Sequence, residues 1–296
     1  MKFGVCVPNY GETLSIDGMR AVAIEAEKLG YDSLWTTDHV LMSRNSGTPY
    51  ERIFDSVASL GYLAPLTKKV KLGISCLIIA MRNPVIAAKQ LASIDHFAGG
   101  GRVLLAMAAG WNEKEFSNLG ANFHRRGKKL DESIQLFRSL WRGDPKFHGS
   151  SLKISFDNAV FEPLPNRSEL PIWIGGISPA AMKRAAELGD AWHPNVTPLA
   201  SFRTLVGQFR EVSPSAQLKD ICVRIGLNTK ARESEYVGAT GEKRIIFSGN
   251  MSENQGIVAE LETLGVSTAV LVPSPDGKIS TENQIQSIQE FADKVL

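Results

Sequence analysis

Strand-like and helix-like segments alternate along the chain from its first residues to its last. Short apolar runs predict strands, and longer stretches with apolar residues at helical spacing predict helices. The predicted strands are 2–7, 32–36, 70–79, 102–108, 171–174, 191–192, 221–227 and 267–272. The predicted helices are 17–29, 54–66, 84–97, 126–141, 178–188, 202–209, 252–264 and 282–295. The strand, helix and strand of 70–108 form a right-handed crossover, which makes the sheet parallel.

This pattern predicts an α/β fold, a (β/α)8 TIM barrel that occupies residues 1–296 as a single domain. A doubly wound open sheet is the alternative, but eight strands at these spacings favour closure. Two stretches interrupt the alternation, at 143–170 and 229–251. The first contains alternating Leu152, Ile154 and Phe156, which predicts a short hairpin lying over one end of the barrel.

Composition narrows the class of protein. The chain has 296 residues, 43% of them hydrophobic, and a formal net charge of +2 without a polybasic run, so neither nucleic acid nor a membrane surface is an expected partner. No apolar stretch reaches the roughly 18 residues of a membrane span, and no signal peptide is apparent, so a cytoplasmic protein is expected. Three cysteines, Cys6, Cys76 and Cys222, lie in apolar runs without metal-ligand spacing, and we expect reduced thiols and no metal site.

In a parallel barrel the residues that follow the strands meet at one mouth. Gly175, Gly176, Ile177 and Ser178 follow the fifth strand and precede Pro179. Two glycines allow close approach, and a serine cap before a helix start exposes backbone N–H groups that suit a phosphate. An ordinary capped turn is the alternative. After the second strand stands His39, which can exchange a proton near neutral pH, although a loop-bound histidine is also common.

Several segments closely resemble the luciferase-like superfamily of (β/α)8 enzymes. They are Gly-Tyr-Asp-Ser-Leu-Trp at 30–35, the run from Arg82 to Asp95, Gly-Trp-Asn-Glu-Lys-Glu-Phe at 110–116, and Pro-Ile-Trp-Ile-Gly-Gly at 171–176 followed by 185–192. The likeness extends from Phe3 to Val266. It implies a cofactor that is either the deazaflavin coenzyme F420 or flavin mononucleotide (FMN). It says little about the substrate, because fold does not fix function.

The resemblance assigns roles to individual residues. His39 would be the catalytic proton carrier beside a cofactor-contacting Asp38. Ser75 and Cys76 would carry a non-prolyl cis peptide that backs the ring. The further cofactor-binding positions are Ile78, Ala109, Gly110 and Asn112, together with Gly175, Gly176, Ile177 and Ser178.

Other positions leave alternatives open. His193 is a weaker catalytic candidate. Arg126 either begins a helix in solvent or reaches the anionic tail of the cofactor. Arg82 is expected to brace its loop, and Glu113 and Glu115 are interpreted as solvated or helix-starting carboxylates.

The residues near Ala109 bear on whether the expected cofactor is coenzyme F420 or FMN. Flavin-using luciferases carry a basic residue near this position, and its absence here favours coenzyme F420. Some deazaflavin dehydrogenases carry an acidic residue near the position that Trp111 occupies here. The tryptophan therefore argues against a sugar-phosphate dehydrogenase. The sequence therefore predicts an F420-dependent oxidoreductase that transfers a hydride to or from a small organic substrate. The alternatives are a reduced-FMN-dependent monooxygenase that uses oxygen and a non-catalytic (deaza)flavin-binding protein. A homodimer is expected.

Overall fold

Eight parallel strands close into a barrel in the computed structural model, which describes residues 1–167 and 169–296. In spatial order these strands are β1 (Lys2–Cys6), β2 (Ser33–Thr36), β3 (Lys71–Leu77), β4 (Val103–Met107), β7 (Ile172–Gly175), β8 (Ala191–His193), β9 (Asp220–Leu227) and β12 (Val266–Val272). Pairing of β12 with β1 and of β8 with β9 closes the ring. The predicted (β/α)8 TIM barrel is confirmed, and the open sheet is wrong.

Helices cover the outside of the barrel and join consecutive strands. They are α1 (Ile16–Lys28), α2 (Ser56–Leu63), α3 (Pro84–Phe97), α4 (Glu113–Asn118), α5 (Arg126–Trp141), α6 (Pro179–Glu187), α7 (Leu199–Glu211), α8 (Met251–Thr263) and α9 (Thr281–Val295). The bounds of α3 and α5 are those predicted. Asn83 fixes the start of α3, because its side-chain oxygen accepts hydrogen bonds from the N–H groups of Val85 and Ile86 while Pro84 occupies the first helical position.

Tryptophan side chains fill the interior of the barrel. The rings of Trp35 and Trp173 lie 4.8 Å apart, centroid to centroid. A Cβ atom on Gly73 would stand 2.4 Å from the Trp35 ring, so this glycine makes room for it. Because the interior is packed in this way, space for a ligand is left at the carboxyl ends of the strands.

The two insertions have different positions. Strands β5 (Phe147–Gly149) and β6 (Ile154–Phe156) form the antiparallel hairpin predicted in 143–170, a stretch whose residue 168 lies outside the described residues. This hairpin packs on α5, where Glu132 accepts N–H groups of Ser151 and Leu152, and it contributes no side chain to the cavity described below. The hairpin therefore does not cover the mouth of the barrel, and the later part of this insertion lies at the opposite end, where the N–H of Asn166 donates to Asp95 near the end of α3.

The second insertion, residues 229–251, lies at the mouth of the barrel. It forms the hairpin of β10 (Glu235–Val237) and β11 (Lys243–Phe247), and β11 pairs in parallel with the end of β9. The N–H of Ile245 also donates to the carbonyl of Val196, beyond β8. The hairpin therefore wedges between β8 and β9 at the mouth of the barrel. Among the described residues, no helix is both long and apolar enough to cross a membrane.

Candidate active site

A cavity of about 650 Å³ opens at the carboxyl ends of the barrel strands. Its walls come from residues at or just after the ends of β2, β3, β4, β7 and β8, from Arg224 of β9, and from the β10–β11 hairpin. The predicted site residues that line it are His39, Asp38, Ser75, Cys76, Ile78, Ala109, Gly110, Gly175, Gly176, Ile177 and Ser178. Positions that are far apart in sequence thus meet at one mouth, as the strand ends predicted.

Asn112 is the predicted residue that lies outside this lining. Its side-chain oxygen accepts the N–H of Glu115 at 3.1 Å and so caps α4, while its amide nitrogen lies 3.6 Å from the sulfur of Met42. The structure gives Asn112 a local capping role, because a short polar side chain at a helix start satisfies the free N–H groups of the first turn. A contact between Asn112 and cofactor hydroxyls stays a prediction.

His39 is held by a buried carboxylate. Its Nδ1 lies 2.7 Å from Oε2 of Glu115, and the two residues are 4% and 1% exposed. An ionised carboxylate only accepts hydrogen bonds, so Nδ1 carries the proton. The other ring nitrogen, Nε2, has no hydrogen-bond partner among the described residues and is the atom left to exchange a proton in the cavity.

Glu115 was interpreted from the sequence as a solvated or helix-starting carboxylate, and the solvated interpretation is wrong. Burial raises the pKa of this carboxyl, but hydrogen bonds from His39 and from the N–H groups of Val40 and Leu41 outweigh burial and hold the pKa below its usual value. Asn112 and Glu115 have the spacing of an N-cap and the third helical residue, and Asn112 does cap α4, but the Glu115 carboxylate bonds the segment that carries His39 and not the start of its own helix. Glu113, in contrast, is exposed.

Two aromatic rings confine the imidazole of His39. Tyr50 stacks on it with ring centroids 4.5 Å apart, and Trp111 meets it edge-on at 5.7 Å. Tyr50 comes from the loop between β2 and α2, where no sequence pattern marked it. Together with Glu115, these contacts leave the ring little rotational freedom.

Asp38 connects the ends of β2 and β3. Its carboxylate accepts hydrogen bonds from the Ser56 hydroxyl at 2.7 Å and the Ile78 N–H at 2.9 Å, and it forms an ion pair with Arg82. Arg82 also pairs with Asp55 at 2.7 Å, so it braces the loop as expected. Asp38 thus lines the cavity while its oxygens hold the site together.

The floor of the cavity is formed by Ser75 and Cys76, which are joined by a cis peptide bond, as the resemblance implied. A Cβ atom on Gly175 would stand 2.5 Å from the Cys76 sulfur, so the glycine lets this thiol pack beside β7. Burial raises the pKa of the Cys76 thiol to about 12. The thiol therefore stays protonated near neutral pH, where it is a poor nucleophile.

His193 also lines the cavity, beside Ser75, and is held neutral. Its Nδ1 lies 2.5 Å from the carbonyl oxygen of Cys222, and its Nε2 lies 2.7 Å from the Ser75 hydroxyl. A carbonyl only accepts, so Nδ1 donates and Nε2 accepts the Ser75 proton. Burial lowers the pKa of His193 to about 4. Its role in the structure is to orient Ser75.

The start of α6 forms the wall around Gly176. The Ser178 hydroxyl accepts the N–H of Ala181 at 3.2 Å, Pro179 occupies the first helical position, and Gly176 has a φ of +113°. The free N–H groups and dipole of a helix start favour an anion.

Arg126 also lines the cavity, where its Nε donates to the Gly110 carbonyl at 3.1 Å and its guanidinium covers the Phe123 ring.

Other cavity-lining residues missed from the sequence include Arg184, Thr197, Arg224 and the polar side chains of the β10–β11 hairpin. The signal for Arg224 was a charged residue inside the apolar run 221–227. Within residues 1–167 and 169–296, no group of three or more His, Cys, Asp or Glu side chains is placed to hold a metal ion.

Comparisons with known proteins agree with this architecture. A family model described as luciferase-like monooxygenase matches residues 1–265. The FMNH2-dependent dimethylsulfone monooxygenase of Pseudomonas putida is 26% identical over 94% of this chain and 77% of its own length. The F420-dependent glucose-6-phosphate dehydrogenase of Amycolatopsis mediterranei is 31% identical over 57% of this chain and 50% of its own.

A solved structure has the same fold. An F420-dependent secondary alcohol dehydrogenase, in complex with an F420–acetone adduct, superimposes with a TM-score of 0.79 at 19% identity and covers 99% of this chain and 98% of its own. Relatives of this chain thus include enzymes of both cofactor classes.

Proposed function

The chain belongs to the luciferase-like monooxygenase family, and from that premise we propose that it is a coenzyme F420-dependent oxidoreductase acting on a small organic substrate. The observation that carries the proposal is the hydrogen bond of 2.7 Å between His39 and Glu115 at the cavity wall. A protein that only bound a (deaza)flavin would need the anion site but no oriented proton carrier.

The lining fits a flat, partly anionic cofactor. Cys76, Ile78, Ala109 and Gly175 offer an apolar surface for a ring system. Gly176 has a positive φ, which glycine adopts without strain. The start of α6 that follows it offers backbone N–H groups for a phosphate. Arg126 is the first residue of α5, and this helix start lies beside α6, because Nη2 of Arg184 in α6 is 3.5 Å from the Gly127 carbonyl. Arg126 would therefore meet the anionic tail of the cofactor.

When bound, coenzyme F420 supplies or takes up a hydride. An alcohol that loses a hydride must also lose its hydroxyl proton, and a carbonyl that gains a hydride must gain a proton. Nε2 of His39 faces no other partner in the described part of the chain and is placed for this exchange. Glu115 fixes the tautomer and stabilises the imidazolium form, as a carboxylate behind a catalytic imidazole does.

A reduced-FMN-dependent monooxygenase is the second candidate, and two observations favour it. The alignment with the dimethylsulfone monooxygenase covers 94% of this chain. In addition, the basic group that the sequence lacks next to Ala109 is brought there in space, since Arg126 bonds the Gly110 carbonyl. The F420 proposal rests on the oriented proton carrier, which hydride transfer to or from oxygen-bearing carbon requires.

Binding titrations separate these candidates. The purified protein is titrated with F420 and, in parallel, with oxidised and reduced FMN, and the cofactor or tryptophan fluorescence is followed. We expect micromolar binding of F420 and at least tenfold weaker binding of FMN. Micromolar binding of FMN with no binding of F420 would overturn the proposal in favour of the monooxygenase. The homodimer, the single domain over 1–296 and the cytoplasmic location remain predictions.

A further inference from the structure

Tyr50 carries a hydroxyl group that the cofactor site proposed above does not use. Its side chain lines the cavity, is 7% exposed, and stacks on the imidazole of His39 with ring centroids 4.5 Å apart. The ring of Tyr10 packs edge-on against Tyr50 at 5.1 Å, and the next residue, Glu51, accepts the N–H of Asn45 at 3.1 Å. These contacts fix the phenol ring beside the imidazole.

The hydroxyl of Tyr50 differs from those of the other buried tyrosines. Tyr10 donates to the carbonyl of Ser274 at 3.1 Å, and Tyr31 donates to the carbonyl of Ile288 at 2.8 Å. Tyr50 is also buried but makes no hydrogen bond in the part of the chain that the structure describes. A buried tyrosine hydroxyl normally has a partner, because it has lost its hydrogen bond to water. The free hydroxyl points to a bound molecule as the partner.

The oxygen of this hydroxyl can be reached from the cavity. Unpaired polar atoms that are sealed from solvent occur in the side chains of Ser43, Ser59, Thr197 and Gln284. Tyr50 is not among them in the described residues, so its oxygen keeps some accessible surface. Because Tyr50 as a whole is buried and lines the cavity, that surface faces the cavity, where a ligand can meet it.

Nε2 of His39 is the second free polar atom of this stack. The Glu115 carboxylate accepts the proton on Nδ1, so Nε2 of the neutral imidazole is an acceptor. An alcohol that donates its proton to Nε2 still has lone pairs on its oxygen, which can accept a hydrogen bond from a phenol. One oxygen with two hydrogen bonds of about 2.8 Å can join atoms up to roughly 5.6 Å apart, and the 4.5 Å stack keeps the two rings within that reach.

We propose that the Tyr50 hydroxyl donates a hydrogen bond to the reacting oxygen of the substrate, at which Nε2 of His39 exchanges the proton, and that the substrate is an alcohol or the corresponding carbonyl compound. In the oxidation direction the hydroxyl proton passes to Nε2, the hydride leaves the carbon for F420, and the C–O bond becomes a carbonyl. Negative charge develops on the oxygen as its proton leaves, and a fixed O–H donor stabilises that charge. This inference rests on the proposed function, because it takes His39 as the proton carrier of hydride transfer.

Tyr50→Phe tests the proposal, because it removes the hydroxyl and keeps the ring that stacks on His39. With F420 and an alcohol that the unmodified protein oxidises, we expect kcat to fall about tenfold or more while the Kd for F420 stays within about twofold. The pH dependence of kcat should keep its shape, since the imidazole keeps its neighbours. Tyr62→Phe is the matched control and should leave kcat unchanged, because Tyr62 lies on α2 outside the cavity lining.

Calorimetric titration of the F420-loaded protein with isobutyramide provides a readout that does not depend on turnover. This uncharged amide presents a carbonyl oxygen but is not a substrate for hydride transfer. We expect Tyr50→Phe to weaken isobutyramide binding at least fivefold and Tyr62→Phe to change it by less than about twofold.

An unchanged kcat in Tyr50→Phe would overturn the proposal. So would an isobutyramide affinity that does not depend on the hydroxyl, including no binding by the unmodified protein, or a loss of F420 binding in Tyr50→Phe, which would assign the hydroxyl to the cofactor. An unmodified protein that binds no F420, or that binds F420 and oxidises no alcohol, would instead refute the proposed function.

Discussion

Nδ1 of His39 lies 2.7 Å from Oε2 of Glu115, and both side chains are buried, His39 in the lining of the cavity and Glu115 behind it. The same carboxylate accepts the N–H groups of Val40 and Leu41, the residues that follow His39. Glu115 therefore fixes both the imidazole and the backbone that carries it. The short helix α4 positions this carboxylate, and Asn112 caps that helix.

Replacing Glu115 by Gln should slow turnover without loss of cofactor. The amide cannot stabilise a protonated imidazole as a carboxylate does, so kcat should fall roughly tenfold to a hundredfold. The Kd for F420, measured by fluorescence, should stay within about twofold. Glu113→Gln is the matched control, since Glu113 is exposed on the same helix, and its kcat should not change. An equal effect of both substitutions would mean that Glu115 does not act through His39.

Replacing His39 by Asn should remove the proton carrier. We expect turnover to fall by about a hundredfold or more while F420 affinity is kept, because the proposed ring and phosphate contacts come from other residues. Steady-state kinetics and a fluorescence titration of the same preparation provide the two values. Unchanged turnover would exclude His39 from the mechanism. No turnover by the unmodified protein with any substrate or cofactor would favour a binding protein.

Replacing Gly176 by Val should abolish the phosphate site. Gly176 has a φ of +113°, and a Cβ atom would lie 3.1 Å from that of Ala181. Valine at such a backbone conformation costs about 1–3 kcal/mol and places methyl groups where an anion would approach. Gly120→Val is the control, because Gly120 has a φ of +65° and open space around a Cβ atom.

Both variants should lose stability in chemical denaturation, but only Gly176→Val should lose F420 affinity, by tenfold or more. Normal F420 binding by Gly176→Val would place the phosphate elsewhere.

The free energy of unfolding should fall as the pH falls from 6.5 towards 4. Burial lowers the pKa of His193 from 6.5 to about 4 in the folded chain. Between pH 6.5 and pH 4 the imidazole of His193 binds a proton in the unfolded chain but not in the folded chain. The contribution of His193 to the free energy of unfolding is therefore complete above pH 6.5 and is lost as the pH falls. The expected loss from His193 is about 2–3 kcal/mol between pH 7 and pH 4.5.

Urea denaturation at the two pH values measures that difference. His193→Gln should reduce the difference by most of this amount, whereas His124→Gln, at an exposed position, should leave it as it is. An identical pH dependence in the unmodified protein and His193→Gln would contradict the assigned neutral state.

The barrel could be predicted from the sequence because each strand and helix carries its own signal. The apolar run 70–79 and the Asn83–Pro84 helix start specify one crossover, and similar signals recur along the chain. The glycines and the serine cap after β7 also predicted one wall of the cavity, and the resemblance to the luciferase-like superfamily supplied most of the other predicted positions. These features are local, and the barrel topology brings their positions together.

What the sequence did not reveal depends on contacts between distant segments. Glu115 and His39 are 76 residues apart, and only the packing of α4 against the loop after β2 brings them together. Arg224 is charged within a strand that otherwise indicates core, and its meaning appears only when the cavity is seen beside it. Which of the two insertions lies at the mouth of the barrel likewise depends on tertiary contacts, because the pairing of β11 with β9 is what holds the second insertion there.

Anaerobic turnover with oxidised F420 is the decisive measurement for an F420-dependent oxidoreductase. The protein is mixed with F420 and a panel of small alcohols and hydroxy acids in the absence of oxygen, and the visible absorbance of the deazaflavin is followed. We expect substrate-dependent loss of this absorbance with the unmodified protein and loss that is slower by about a hundredfold or more with His39→Asn. No reduction of F420 under any of these conditions, together with substrate-dependent oxygen uptake when reduced FMN is supplied in air, would contradict F420-dependent hydride transfer and favour the monooxygenase.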